Sequence, residues 1–393
     1  MLVILIIISL LVPGLGIVID LMYLYKNKNK NKNKIIYVMI AIAFGLLAYS
    51  INYQGIKTPG GDIYRFYKEA ELLSKLQINE ILAKPKVKLN FIYYMIVYTI
   101  NFFNLYKNFL SFFLTFGSYV CILFSLDEVK RVYGKFESGN KNLVIIFTIM
   151  LYFSSPYMYF SVSKTIFCLA IFCLGVVKYS LRKKKTGIIF IILGIFSHNI
   201  GLLLAAIFFI SMFKIKINKW SIVILLAFFN KIIIVMILKF LNQLNLIEGY
   251  SELLIEEYIY GPWSSIFNGN GIYGYIHVYR AFIILVLGIF FLKKWKWEKN
   301  LLYYFIQNYL VFCTIFFSYQ IVMLRLLIWG SFYILILLFI IISKVPKMKL
   351  YLLIFLFLFD LFNAMEYGFK VGMGFPLVIF EPIFFLLQNY NLN

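Results

Sequence analysis

Long blocks of apolar residues, separated by short lysine-rich breaks, run through most of this chain. Each block is roughly 18 to 22 residues long, the length that a helix needs to cross about 30 Å of hydrocarbon. The blocks are apolar on every face, whereas a barrel strand would alternate apolar and polar residues over about ten positions. Because 63% of the 393 residues are hydrophobic and only 14% are charged, the composition also lies outside the range of soluble domains. The sequence therefore predicts a membrane protein made of helices.

The blocks predict an all-α, polytopic fold in which residues 1–393 form a single transmembrane domain with about 12 to 14 spans. We expect Met1–Val12 to belong to a retained first helix, because it lacks the basic start and the cleavage site of a signal peptide. Residues 187–213 are too many for one crossing, and the polar residues at 197–199 predict a turn between two spans. The blocks lie near 2–24, 35–52, 89–106, 109–126, 143–160, 165–180, 187–213, 220–242, 271–292, 301–322, 324–343 and 350–368, with a weaker block at 376–389.

Basic residues outnumber acidic residues by 38 to 16. A nucleic-acid-binding protein gathers such charge on a soluble face, but here it falls mostly between the apolar blocks, so no nucleic-acid partner is expected. The positive-inside rule predicts that these loops are cytoplasmic. Only five of the basic residues are arginines, and each of them deserves a separate explanation. The lysine-rich loops are 26–34, 183–185, 214–219, 293–299 and 344–349.

The first half of the chain conflicts with simple alternation of the spans. A cytoplasmic loop at 26–34 puts residues 53–88 outside, and alternation then places the basic residues of 130–141 outside as well. Two explanations stay open. Either one of the blocks within 89–126 does not cross the membrane, or an amphipathic segment near 67–83 re-enters it.

Two longer hydrophilic loops, about 53–88 and 243–270, are expected on the outer face, and they favour chemistry there. A charged residue in a span costs roughly 2.5 to 3.5 kcal/mol, so it needs a partner, a water cavity or a function. Near the outer ends of the predicted spans, cations and histidines from four chain regions are expected at similar depth. Such a cluster suits an anionic group, and a guanidinium offers a fork of donors to phosphate oxygens. These residues are Lys164, His198, His277, Arg280 and Arg325.

Each member of this cluster also has a structural explanation. Lys164 can extend its ammonium to the lipid head groups. Arg280 can pair with an acid of the preceding loop, Glu256 or Glu257, and Arg325 can form a structural ion pair. The two histidines can be ordinary hydrogen-bonded polar residues. The coincidence in depth favours a binding site.

Asp62 is the candidate general base, because group transfer to a hydroxyl requires a carboxylate or imidazole within hydrogen-bond reach of the proton. The competing explanation is a surface pair with Arg65, worth under about 1 kcal/mol. No zincin, P-loop, GxSxG or CxxC pattern occurs, and two histidines are too few for a convincing metal site. We therefore expect a metal-independent mechanism without a cofactor. The four cysteines lie in or beside apolar blocks and are expected to be small core residues.

Short motifs follow one another along the chain: Gly-Gly-Asp-Ile-Tyr-Arg-Phe-Tyr at 60–67, Ser-Lys-Thr-Ile-Phe-Cys-Leu-Ala at 163–170, Gly-Ile-Phe-Ser-His at 194–198, and an arginine that opens a late span. This order resembles the EpsG-like group of bacterial polysaccharide polymerases, which are related in role to the Wzy O-antigen and capsule polymerases. Two departures stand out: a lysine replaces the family's usual arginine at 164 and loses its fork, and Ser197 intervenes before His198. The matching positions are Asp62, Tyr64, Lys164, Ala170, His198 and Arg325.

The resemblance implies a multi-pass glycosyltransferase of the bacterial plasma (inner) membrane. It would transfer a growing O-antigen, capsule or exopolysaccharide chain from undecaprenyl diphosphate to a hydroxyl of another lipid-linked repeat unit. The diphosphate would be bound by Lys164, Arg280 and Arg325. Asp62 or His198 would take the proton. Tyr64, Arg65 and His277 are secondary candidates for the site.

The partners that the resemblance implies are undecaprenyl-diphosphate-linked glycans, membrane lipids and a chain-length regulator. Two alternative functions stay open. An O-antigen ligase would require the same cations and base. A flippase for lipid-linked oligosaccharides often has internal repeats and polar residues at mid-membrane, whereas no repeat is visible in this sequence.

Overall fold

The computed structural model is helical throughout the part of the chain that it describes, and no strand occurs there. It describes residues 2–27, 30–50, 67–69, 71–72, 90–106, 108–134, 139–153, 163–182, 185–214, 267–295, 299–315 and 325–345, with a few single positions near 235–243 and at 323. The helices are α1 (Leu2–Leu11), α2 (Pro13–Lys26), α3 (Lys30–Ser50), α4 (Phe91–Phe102), α5 (Asn108–Tyr133), α6 (Gly139–Phe153), α7 (Ser163–Arg182), α8 (Thr186–Ile195), α9 (Ile200–Met212), α10 (Phe267–Lys294), α11 (Leu301–Ile315) and α12 (Ser331–Lys344), with a π-helical turn at Arg325–Trp329.

Three of the described helices are long and apolar enough to cross a membrane: α3 from Lys32 onward, α5 and α7. Several other apolar helices, α4 and α12 among them, are shorter. The helical membrane architecture expected from the sequence is therefore observed, while the total of 12 to 14 spans stays a prediction. The predicted blocks near 350–368 and 376–389, and nearly all of 220–242, lie outside the described residues.

Helices α3 and α5 pack side by side in opposite directions. The Tyr37 hydroxyl donates a hydrogen bond to Asp127 (3.1 Å) at one end of the pair, and the Asn108 side-chain amide donates to the Tyr49 carbonyl (2.7 Å) at the other. Between them the rings of Phe44 and Tyr119 are stacked, with centroids 3.9 Å apart and ring planes 9° from parallel. The connection from 51 to 107 therefore begins and ends at the same end of the bundle.

The end of the bundle that holds Asp127 collects basic residues at the ends of helices. Cations in the last turn of a helix are favourable because the C-terminal end of the macrodipole is negative. The same positions satisfy the positive-inside rule, so we call this the inner end and the opposite one the outer end. The basic last-turn residues are Lys26, Lys130, Arg131, Arg182, Lys293, Lys294 and Lys344.

Two buried acids of α5 tie the inner end together. Asp127 pairs with Lys130 (2.7 Å) and with Arg131 (2.5 Å), and Glu128 pairs with Arg182 of α7 (3.1 Å). Buried carboxylates are tolerated in a folded protein when their charges are paired and hydrogen-bonded. Two of the five arginines thus serve a structural ion-pair network.

The Lys-Asn run near the N-terminus takes part in this network. Helix α3 already begins at Lys30, inside the run. Asn33 is buried and is joined to Asn27 (2.9 Å) and Asn140 (3.3 Å), while Lys130 donates to Asn140 (3.0 Å). Asn27 and Asn33 of the run therefore make specific polar contacts that join α2 and α3 to α6, and Lys130 joins α5 to the same group.

Two of the predicted apolar blocks are interrupted. The first one breaks at Val12, because Pro13 fits the first turn of a helix but cannot continue α1. Helices α1 and α2 are joined by a hydrogen bond from Ser9 to the buried Asp20 (2.9 Å). The turn expected within 187–213 is confirmed between α8 and α9, although these helices of 10 and 13 residues are shorter than the roughly 20 that a full crossing needs.

Helix α4 explains the conflict in the first half of the sequence. Its N-terminal residue Asn90 donates a hydrogen bond to Asn199 (3.1 Å) at the outer end, and its C-terminal end leads within six residues to Asn108, also at the outer end. Both ends of this 12-residue helix therefore lie at one end of the bundle, and α4 does not cross. The basic residues at the end of α5 consequently lie at the inner end, as the positive-inside rule requires.

Candidate functional site

Lys164 lies in the first turn of α7 and is almost fully buried, with 4% of its surface exposed. Its Nζ stands 4.0 Å from the centre of the Tyr93 ring and 5.4 Å from that of Tyr94, both in α4. Aromatic faces attract cations within about 6 Å, and desolvation strengthens the attraction. Lys164 thus does not extend to the lipid head groups, since it is enclosed by the non-crossing helix.

The turn at 196–199 packs directly against α7. Glycine is required on both sides of it, because a Cβ on Gly201 would lie 2.5 Å from the Gly194 carbonyl oxygen and one on Gly194 would lie 2.9 Å from Phe172 Cβ. The thiol of Cys168 donates a hydrogen bond to the Gly194 carbonyl (3.1 Å), and the His198 carbonyl lies 3.8 Å from the same sulfur. The small residues therefore bring His198 to the N-terminal end of α7. All four cysteines are free and buried, which confirms the expectation that they serve as core residues.

The hydrogen bonds of His198 define its tautomer. The backbone N–H of Ile200 donates to Nδ1 (3.2 Å), so this nitrogen carries a lone pair and the proton of the neutral ring is on Nε2. Nε2 lies 3.5 Å from the Thr165 hydroxyl, at the upper limit for a hydrogen bond. The imidazole can thus donate from Nε2, but it has no spare lone pair with which to accept a proton. This geometry favours a donor over a general base at His198.

Burial, reinforced by two neighbouring cations, lowers the pKa of His198 well below 6.5. The imidazole is partly buried in the turn between α8 and α9. Burial is the largest cause of the lowered pKa, because it disfavours the charged form of the ring. The positive charges of Lys164 and Arg325 add to this effect. These three residues come from separate parts of the chain and form one electrostatic neighbourhood at the outer end.

Arg325 opens a π-helical turn, an irregularity that occurs frequently at functional sites. Its guanidinium lies 5.3 Å from the centre of the Trp329 ring. Tyr333, in α12, donates a hydrogen bond to the Leu169 carbonyl of α7 (2.9 Å). Tyr333 and Leu169 therefore lie at the same level along the bundle. By the helix rise, Lys164 lies about 7.5 Å outward of that level and Arg325 at most about 12 Å outward of it.

Arg280 belongs to α10, which packs against the π-helical turn. Its side chain is buried, with 1% exposed. His277 lies about one turn earlier in the same helix, where the structure describes the backbone. Arg280 thus lies on a helix that packs against the Arg325 turn.

A short stretch at 67–72 reaches the same region from the outer connection. The hydroxyls of Tyr67 and Ser111 lie 2.6 Å apart, and the Tyr94 hydroxyl donates to Glu69 Oε1 at 2.6 Å. Tyr94 is one of the two rings beside Lys164, so a carboxylate, a phenol and an ammonium form a chain of contacts. The backbone N–H of Ile92 also donates to the Phe196 carbonyl (3.0 Å) and satisfies a free donor at the start of α4.

Of the residues expected in the site, the structure brings together Lys164, His198 and Arg325. Asp62, Tyr64 and Arg65 lie outside the described residues, so their roles stay predictions. The sequence analysis did not name Glu69, Tyr93 or Tyr94 as candidate site residues. The sequence did contain one indication of Glu69, because this acid follows Asp62 by seven positions in the same outer connection.

No group of three or more potential metal ligands among His, Cys, Asp and Glu occurs in the part of the chain that is described. The fold and the clustered side chains define an α-helical membrane protein with a buried cationic site at its outer end. Comparison of the chain with protein-family models, with curated proteins and with solved structures gives no match.

Proposed function

We propose that this protein is a membrane glycosyltransferase that polymerises lipid-linked oligosaccharide repeat units on the outer face of the bacterial plasma membrane. The observation that carries the proposal is the convergence of Lys164, His198 and Arg325 at one end of the bundle. Two fixed cations and a neutral N–H donor suit a diphosphate, because its oxygens accept charge-assisted hydrogen bonds. A polyprenyl diphosphate would hold its head group at this depth and its tail among the helices.

In the proposed reaction, a hydroxyl of the acceptor sugar attacks the anomeric carbon of the donor, and undecaprenyl diphosphate leaves. Charge develops on the departing diphosphate, so preorganised cations in a water-poor site are worth most at this point. Lys164 and Arg325 would stabilise that charge directly, and His198 would donate from Nε2. Arg280 would contribute from the adjoining helix. We expect no cofactor and no metal requirement.

A flippase is less well supported by the site. A transporter is expected to bind its substrate near the middle of the membrane, whereas Lys164 and Arg325 belong to the outer part of the bundle. A ligase shares the chemistry and differs only in the acceptor, for which the site geometry makes no distinction. The polymerase is preferred because the motif order resembles that of EpsG-like polymerases.

The direct test uses purified protein in proteoliposomes supplied with one undecaprenyl-diphosphate-linked repeat unit from a producing strain. We expect a ladder of longer lipid-linked glycans together with released undecaprenyl diphosphate. The matched control is the double variant Lys164→Ala/Arg325→Ala, which should insert normally and leave single units. Movement of the lipid-linked unit across the bilayer without any elongation would instead identify a flippase.

The metal requirement and the ligase alternative can be tested in the same system. Turnover should survive treatment with a chelator, and loss of turnover that a divalent cation restores would overturn the metal-independent mechanism. Addition of a lipid A core acceptor should not divert the glycan. Transfer to that acceptor in preference to a second repeat unit would identify a ligase.

A further inference from the structure

The proposed reaction needs a group that accepts the proton of the attacking hydroxyl, and His198 is poorly suited to this role. Its Nδ1 already accepts a hydrogen bond from Ile200, and the proton of the neutral ring is on Nε2. To act as a base, the imidazole would have to give up the bond to the turn backbone. The nearby charges of Lys164 and Arg325 also oppose a second proton on the ring.

Glu69 is an acid that the structure does bring to this region. Its carboxylate accepts the Tyr94 hydroxyl at 2.6 Å, which fixes the position of Oε1. The side chain is partly exposed, so a sugar hydroxyl can approach it. Its stretch of chain is anchored to α5 through the contact of Tyr67 with Ser111. A carboxylate held on two sides in this way is preorganised rather than mobile.

The Tyr94 phenol links Glu69 to the cationic site. The carboxylate binds the hydroxyl of this phenol, while Lys164 Nζ lies 5.4 Å from the centre of its ring. In an inverting displacement, the base and the group that assists departure act on opposite faces of the sugar ring, typically about 6.5 to 9.5 Å apart in glycosidases. The carboxylate and the ammonium both contact Tyr94, so the outer end supplies a base and a cation from separate side chains.

Resting on the function proposed above, we propose that Glu69 is the general base of the transfer. The acceptor oxygen bonds to the anomeric carbon as the bond from that carbon to the diphosphate oxygen breaks. The diphosphate leaves with the electron pair beside Lys164 and Arg325. The acceptor proton passes to the Glu69 carboxylate and from there to water. The anomeric configuration is inverted.

The test compares Glu69→Gln with wild-type protein in the proteoliposome assay. Glutamine keeps the shape and an acceptor oxygen for Tyr94 but cannot take a proton, so turnover should fall about 100- to 10,000-fold. Binding of undecaprenyl diphosphate, which carries no sugar to react, should stay within about threefold. Glu71→Gln changes an exposed acid of the same stretch and should behave like wild type.

Chemical rescue separates a base from a structural carboxylate. Azide attacks the anomeric carbon without a proton to lose, so it does not need a base. In Glu69→Ala, added azide should restore the release of undecaprenyl diphosphate and yield a glycosyl azide. Tyr94→Phe keeps the ring beside Lys164 and removes only the hydroxyl; we expect a loss of about tenfold from a less well positioned carboxylate.

The outcomes distinguish this inference from the proposed function. Wild-type turnover in Glu69→Gln, with Lys164→Ala inactive, would overturn the role of Glu69 and leave the glycosyltransferase intact; loss in Asp62→Asn would then assign the base to Asp62. Failure of azide to rescue Glu69→Ala, or loss of undecaprenyl diphosphate binding in Glu69→Gln, would make Glu69 a structural residue. Absence of transfer by the wild-type chain would reject the function itself.

Discussion

The ammonium of Lys164 stands 4.0 Å above the ring of Tyr93 and is almost completely shielded from the surroundings of the helix bundle. If this cation stabilises a leaving diphosphate, Lys164→Ala should lower turnover about 100- to 1,000-fold. Lys164→Arg keeps the charge and should retain activity. Elongation of the lipid-linked repeat unit in proteoliposomes measures both effects.

A matched control for this prediction lies in the same helix. Lys178 also stands over an aromatic ring, that of Phe190 at 4.5 Å, but about four turns nearer the inner end. Lys178→Ala should therefore elongate glycans at close to the wild-type rate. Equal activity of the alanine and arginine variants at 164 would mean that the lysine has only a packing role.

The arginines at the two ends of the bundle should respond differently to removal. Arg325→Ala and Arg280→Ala should insert into the membrane yet yield single repeat units in place of long glycans. Arg182→Ala, which breaks the pair with Glu128 at the inner end, should lower thermal stability and leave the chain-length ladder unchanged. Normal ladders in both outer-end variants would contradict the proposed site.

The tautomer of His198 predicts which substitution is tolerated. Glutamine can place an N–H donor near the position of Nε2, so His198→Gln should retain activity within about tenfold, whereas His198→Ala should lose about 100-fold. If the imidazole instead removed a proton, the two variants would be equally impaired. Initial rates of undecaprenyl diphosphate release distinguish these outcomes.

The lowered pKa of His198 also predicts how stability varies with pH. Below its ordinary value of 6.5 the unfolded chain binds a proton that the folded protein excludes, so stability falls with decreasing pH. Wild-type protein should lose up to about 1.4 kcal/mol per pH unit relative to His198→Gln, until the folded pKa is reached. Thermal unfolding of both proteins in detergent, at several pH values between about 7.5 and 5.5, measures the difference. Parallel curves would contradict the shift.

A cysteine-labelling experiment tests the position of α4. The four native cysteines are buried, so an introduced cysteine should dominate reaction with a membrane-impermeant maleimide. Tyr106→Cys, in the exposed segment that follows α4, should react in intact cells. Lys141→Cys, exposed at the inner end, should react only after permeabilisation. Protection of Tyr106→Cys in intact cells would mean that α4 crosses the membrane after all.

The sequence predicts those features that depend on composition and local breaks. Apolar blocks require helices in a membrane, and the polar interruption at 197–199 between two glycines predicts the turn that holds His198. It left open whether a block within 89–126 fails to cross, because Phe91–Phe102 is as apolar as a span. What decides its position is tertiary: the contacts of Asn90 and Ile92 with the turn.

The sequence pattern likewise does not predict contacts between residues that are far apart in the chain. The local sequence is the same whether a lysine is enclosed by two tyrosine rings or extends to the lipid head groups. The buried Asp127 pairs with cations only one turn away, yet its hydrogen bond to Tyr37 spans 90 positions. Periodicity indicates which residues are helical, whereas partner choice depends on how the helices pack.

The hydrogen bond between Asn108 and the Tyr49 carbonyl closes the connection of residues 51 to 107 at its base. A segment that leaves and rejoins a membrane protein on the same side can be lengthened, shortened or exchanged without inverting any helix that follows it. Changes in length outside Glu69 and α4 would thus leave the orientation of every later helix as it is.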